Sequence, residues 1–276
     1  MGVRLLAALA IAAVAAPAAG PVDRAASYLT TRQQTDGGFA EPGGQSDAAL
    51  TAWSALALAA AGRRPAGAAD YLSGKPAGDA TDVALHALAL RALGRSAEDE
   101  LARLESLRSP NGRIGPLVDS TIWAVLALRA AGRPAGAATV RYLRRMQARS
   151  GGWSWTPRGA PDSNDTAAAV EALRAAGVAP RSSTVRRAIR FLGRFQNRDG
   201  GFALVRGRAS DAQSTAWAVQ AYLAAGRRPP PRARSYLLRL RRSDGSFRYS
   251  RRYAVTPTFV TAQVVPALAG KAFPLR

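Results

Sequence analysis

The chain has no cysteine and a single histidine, His86, among its 276 residues. Disulfides, thiolate-held metals and lipid attached to a cysteine are therefore excluded. No metal and no cofactor is expected. Lysine is nearly absent too, standing only at positions 75 and 271, although the formal net charge is +21. Arginine carries the excess. A surface of this sign attracts anionic polymers, phosphates or a membrane surface. A genome biased toward Ala, Arg, Gly and Pro codons gives the same composition when arginine is used wherever an outer face needs charge. Anionic cell-surface polymers are the charged partners to expect, and nothing specifies nucleic acid.

Long apolar runs are also lacking, except at the N-terminus. Met1–Arg4 is a short positive start, Leu5–Ala16 an apolar stretch, and Ala16-Pro17-Ala18 a run of small residues. This is the layout of a secretory signal, and it is short for a membrane span. The expectation is a signal over residues 1–20, a single domain over 21–276, and a secreted or extracytoplasmic mature protein. An uncleaved anchor is the alternative. No later segment is apolar over a membrane-spanning length.

What the sequence does have is repetition. Six Ala- and Leu-rich segments end in glycine: Ser46–Gly62, Gly78–Gly94, Pro116–Gly132, Pro161–Gly177, Ser210–Gly226 and Ala254–Gly270. Their composition favours helix, and the terminal glycine supplies a left-handed closing residue. Asp47, Asp79, Asp119, Asp162 and Asp211 stand where N-caps are needed. Apolar on nearly every side, these six helices must be buried. Between them lie amphipathic, Arg-rich segments: 22–34, 67–74, 96–108, 136–147, 182–196 and 232–241. Outer and inner helices thus alternate six times. An open solenoid would carry polar capping repeats at its ends, and none is present. The expected fold is all-α, an (α/α)6 toroid of six helical hairpins.

A loop links each outer helix to the next inner one. It reads Gln34-Thr35-Asp36-Gly37-Gly38-Phe39, Gln147-Ala148-Arg149-Ser150-Gly151-Gly152-Trp153 and Gln196-Asn197-Arg198-Asp199-Gly200-Gly201-Phe202, with degenerate copies at 108–114 and 241–247. The glycines turn the chain, the aromatic residue fills the gap between hairpins, and the glutamine can bond a helix end. These loops resemble the glutamine-aromatic repeats of the terpenoid cyclase and protein prenyltransferase superfamily, over essentially the whole mature chain. The resemblance implies an α/α barrel with a central cavity, and structural roles for Phe39, Trp153 and Phe202. It does not by itself imply a reaction.

Two chemistries of that superfamily can be tested on the residues. Protein prenyltransferases hold zinc with Asp, Cys and His, which a chain without cysteine cannot do. His86 is then a core residue rather than a ligand. Squalene and class II diterpene cyclases protonate an alkene with the middle acid of an Asp-x-Asp-Asp motif. The nearest match, Asp162-Ser163-Asn164-Asp165, puts an amide in the donor's place. Asp162 or Asp165 could substitute as catalytic acid, but both also suit N-capping, and Asp47, Asp79 and Asp211 repeat the position of Asp162. The chain also holds one barrel where squalene cyclases use two. A glycan-active enzyme would need a carboxylate pair, and no pair is marked out.

Counting back from each closing glycine aligns the inner helices. Nine residues before it lie Trp53, Trp123 and Trp217, against Leu85, Ala168 and Thr261. Six before it lie Leu56, Leu88, Leu126, Glu171, Gln220 and Val264. Thirteen before it lie Ala49, Thr81, Asp119, Asn164, Gln213 and Pro257. At 100° per residue these positions share about 60° of the helix surface, a stripe mixing tryptophan with polar groups. It is expected to face the lumen. Trp53, Trp123, Trp217, Glu171, Gln220, Asp119, Asn164 and Gln213 are the candidate ligand-binding residues. The competing assignment pairs Glu171 with Arg174 and makes the tryptophans plain core. The leading expectation is an exported barrel binding a small apolar or amphipathic ligand such as an isoprenoid. A terpenoid-cyclase-like enzyme and a cell-surface or protein-binding scaffold are the alternatives.

Overall fold

The computed structural model describes residues 19–275. Almost all of the segment read as an export signal lies outside them. Among the described residues are twelve helices in two alternating sets. The inner set is α2 (Ala48–Ala60), α4 (Ala80–Ala92), α6 (Val118–Ala130), α8 (Ser163–Ala175), α10 (Ala212–Ala224) and α12 (Pro257–Leu268). The outer set is α1 (Pro21–Thr30), α3 (Ala68–Ser73), α5 (Glu98–Ser106), α7 (Ala137–Met146), α9 (Ser183–Gly193) and α11 (Pro231–Arg239). Each inner helix packs on the next, and α12 packs back on α2. The ring is closed: an (α/α)6 toroid. No described helix is long and apolar enough to cross a membrane.

The boundaries follow from local chemistry. Asp47, Asp79, Asp162 and Asp211 cap their helices, accepting the N–H of Leu50, Thr81, Asp165 and Ser214 at 2.7–2.9 Å. Asp119 does not. Leu117 holds the capping position of α6, and Asp119 is the second residue of its first turn, its backbone N–H given to the Trp155 carbonyl. At the other ends the closing glycines are left-handed, for example Gly62 at φ 76° and Gly177 at φ 89°. The chain then returns one backbone bond to the last turn, as from Arg63 N–H to the Leu58 carbonyl at 2.8 Å.

The loop glycines serve the ring rather than the hairpin. A Cβ on Gly37, Gly112, Gly151, Gly200 or Gly245 would run into Gly67, Ala138, Arg187, Arg232 or Arg24, each at the start of the following outer helix. The last contact joins repeat six to α1. The glutamines tie the same seam: Gln147 Nε2 donates to the carbonyls of Gly151 and Thr184. In the first repeat this role falls to Gln33, one residue before the expected Gln34, with bonds to Gly37 and Ala66. Phe39, Trp153, Phe202 and Phe247 are fully buried. Their backbone N–H groups donate to Thr51, Thr166, Thr215 and Thr261 of the following inner helix at 2.8–3.0 Å.

That threonine exposes an error of register. It stands eleven residues before the closing glycine in four repeats, but Thr261 stands nine before Gly270. The helix α12 ends two residues early. Counting from the threonine, the lumen positions of α12 are Phe259 and Gln263, not Pro257 and Thr261.

Loops of unequal length shape one mouth of the barrel. The stretches between aromatic residue and helix start are long in repeats one, four, five and six, and each closes the start of the preceding inner helix. Trp155, Leu204 and Tyr249 accept backbone N–H groups of α6, α8 and α10. The Glu41 carboxylate takes those of Thr258 and Phe259 in α12, both at 2.9 Å. Repeat two has no such loop, so the start of α2 is left uncovered.

Candidate functional site

Three tryptophans meet on the barrel axis. Trp53, Trp123 and Trp217 come from α2, α6 and α10, which are alternate members of the ring, so their contacts cross its centre. Their centroids lie 5.3, 5.5 and 5.8 Å apart with planes at 84–89°. This edge-to-face triangle sets positive ring edges against negative faces. Two members are anchored: Trp123 Nε1 donates to Asp119 Oδ1 at 2.9 Å, and Trp217 Nε1 to Gln263 Oε1 at 2.6 Å. Trp123 and Trp217 are buried, whereas Trp53 is half-buried.

Above this floor, at the helix starts, lies a polar ring of half-buried Thr81, Asn164 and Gln213 with Asp119. Beside it is an apolar groove of about 350 Å3, lined by Ala49, Leu50, Thr256 and Phe259 and rimmed by Glu41 and Asp47. The missing loop of repeat two leaves this groove uncovered. Phe259 stands 6.4 Å from Trp53 and links groove to floor.

The carboxyls of the mouth are held far from water. Burial raises Asp119 to about 6, against the hydrogen bonds from Thr81 and Trp123 that favour its charge. Asp211 is raised to about 6, again by burial. Asp165 is raised furthest, first by burial and then by the adjacent Asp162 charge; Asp162 is raised by burial as well. Both shifts favour the protonated form of the pair, and Asp165 Oδ2 is buried without a hydrogen-bond partner. Asp162 is the cap and Asp165 the first-turn acid, so the two residues are not equivalent. Asn164 is half-buried at the rim.

Deeper in the lumen, Glu171 is fully buried, and burial pushes its carboxyl up to about 8. It does not pair with Arg174, whose Nε donates to the Ala224 carbonyl at 2.9 Å. Glu171 instead accepts the backbone N–H of Phe273 at 2.5 Å. Gln220, at the equivalent place on α10, is buried with Oε1 unpartnered. His86 lies within the buried part of α4, where burial lowers its imidazole and keeps it neutral. Among the described residues no cluster of three His, Cys, Asp or Glu could hold a metal.

Residues 132–261 match the squalene-hopene cyclase C-terminal domain, and residues 3–73 match the prenyltransferase alpha-alpha toroid domain. The second match begins inside the segment read as an export signal. The chain is an α/α toroid, similar over these stretches to the squalene-hopene cyclase and prenyltransferase toroid domains. No curated protein matches its sequence. Among solved structures, it is similar to a variant of the type II terpene cyclase MstE from Scytonema in complex with geranylgeranyl dihydroxybenzoate. The two are 18% identical over 91% of this chain and 96% of that one, with a TM-score of 0.69. A protein from Actinoplanes is 21% identical over 91% and 98%, at a TM-score of 0.69. A glycosidase in complex with glucose is 11% identical over 91% and 95%, at 0.62. The toroid thus spans nearly all of the MstE structure. It also matches a glycosidase, so the fold alone decides no reaction.

Proposed function

We propose that this toroid binds a small apolar or amphipathic ligand, an isoprenoid being the favoured class, at the mouth formed by the inner-helix starts. The observation that carries the reading is the tryptophan triangle. It gives an apolar floor under a polar rim, next to an open groove that Phe259 connects to it. An apolar chain would lie along the groove and onto Trp53, burying surface at about 25 cal/mol per Å2. A polar head would meet Asp119, Asn164 and Gln213. An amphipathic isoprenoid of the kind bound by the Scytonema cyclase has this division into chain and head. Export of the protein fits the same role, as a carrier working outside the cytoplasm.

A second reading has one observation in its favour. Burial and the adjacent Asp162 charge push the Asp165 carboxyl toward its neutral form, the state needed to protonate an alkene. It stands one residue from Asn164, which occupies the donor's place in the cyclase motif.

Native mass spectrometry of the purified protein, with and without an isoprenoid panel, tests both. Carrier function predicts a stoichiometric adduct that Asp165→Asn retains and Trp53→Ala weakens at least tenfold. Cyclase function predicts an isomerised product with wild type and none with Asp165→Asn. An empty barrel that ignores the panel would remove both readings.

A further inference from the structure

The opposite end of the lumen is closed by the chain itself. Beyond α12, residues 271–275 turn back across the ends of the inner helices. Phe273 enters between Trp53 and Trp217, with ring centroids at 6.2 and 6.1 Å, and only 4% of its surface stays exposed. Its N–H is the donor on Glu171. Among the described residues this is the single hydrogen bond tying residues 272–275 to the barrel. A cleft of about 200 Å3 runs along the segment, lined by Glu171, Arg174, Ala224, Phe273 and Pro274.

Phe273 fills the space but leaves the polar groups around it short of donors. Glu171 Oε1 and Gln220 Oε1 are both buried without partners. Arg174 lines the cleft yet spends its hydrogen bonds on the carbonyls of Ala224 and Val178. A buried polar atom left unpaired costs about 1–3 kcal/mol; a bound cation would ionise Glu171, and the two oxygens on the adjacent helices α8 and α10 would then both accept from it. A primary ammonium offers three. The tryptophan faces that hold the Phe273 ring also favour a cation nearby.

We propose that this end of the lumen is a second binding site, filled here by Phe273 in place of a ligand, and that it accepts an aromatic amine. The ring of such a ligand takes the position between Trp53 and Trp217, and its ammonium takes Glu171 Oε1 and Gln220 Oε1. The site lies on the far side of the tryptophan floor from the mouth, with Trp53 common to both.

Phenethylamine is the probe, with ethylbenzene as the same ring without the amine. Phe273→Gly empties the position and should bind phenethylamine at least tenfold tighter than wild type by calorimetry, and at least tenfold tighter than it binds ethylbenzene. Adding Glu171→Gln should remove most of that gain. A folded Phe273→Gly variant that binds no better than wild type, or that takes ethylbenzene equally well, would overturn the proposal. Should that variant not fold, amide exchange in the wild type serves instead. Saturating phenethylamine should speed exchange at Phe273 at least tenfold as the segment is displaced, and unchanged exchange would sink the idea.

Discussion

The two halves of the ring share one backbone plan and differ in what they present to the lumen. In repeats one to three the deep level is Leu56, Leu88 and Leu126, all buried aliphatic side chains. In the second half it carries Glu171 and Gln220, with Gln263 a turn away on α12, and all three hold unpartnered buried atoms. Asp165 and Ser214 add two more on the same arc, against only Ser54 on the inner helices of the first half. The loops divide differently: repeat one and repeats four to six carry the long ones, while repeats two and three are trimmed. The first half supplies two of the three tryptophans and the open groove, while the second half concentrates the unpartnered buried polar groups.

The sharpest way to break this contrast is to move a carboxyl across it. Leu126→Glu places the Glu171 side chain at the equivalent level of α6, where no Phe273 N–H reaches. A buried, uncompensated acid costs about 3–5 kcal/mol. The variant should be unfolded or nearly so at pH 8 by urea titration monitored with circular dichroism. A loss under about 1 kcal/mol would mean that the first-half wall already admits water.

Removing the charge from the second half should have an effect of opposite sign that depends on pH. Glu171 is raised from 4.5 to about 8 by burial. Between those values the folded chain holds a proton that the unfolded chain has lost. Wild-type stability therefore declines as pH rises from about 4.5 and levels off past about 8. Glu171→Gln keeps an acceptor for Phe273 without the ionisation, so the variant should gain on wild type across that window, by on the order of 4–5 kcal/mol at its top. Parallel stability curves for the two proteins from pH 5 to 8 would show that Glu171 is hydrated.

How far the sequence reveals this molecule depends on whether a feature repeats. The caps at Asp47, Asp79, Asp162 and Asp211, the closing glycines and the loop aromatics recur, and their positions followed directly from the alignment of repeats. Trp53, Trp123 and Trp217 were placed on the lumen stripe by the same count, and they meet on the axis. What failed was anything particular to one repeat. Asp119 looked like a cap because the neighbouring helices have one, but Leu117 holds that place and the Trp155 carbonyl, far along the chain, replaces the cap. The α12 register slipped by two because its glycine, not its threonine, served as the anchor. Phe273 lies outside the repeat altogether, and only tertiary packing shows that it reaches Glu171.

The overlooked threonine offers the smallest test and the cleanest comparison between repeats. Thr166 accepts the Trp153 N–H at 3.0 Å, whereas Val83 holds the equivalent place in the trimmed second repeat, with no aromatic residue to serve. Thr166→Val conserves volume and leaves a buried N–H unpaired, a cost of about 1–2 kcal/mol. The reverse change, Val83→Thr, supplies a hydroxyl where no loop N–H waits for it. A hydroxyl in a helix can bond back to the carbonyl four residues earlier, here that of Asp79, so Val83→Thr should cost less than Thr166→Val. Thermal melts of the two variants decide it. If Val83→Thr proves the more damaging, the threonine is retained for packing against the loop and not for the hydrogen bond it accepts.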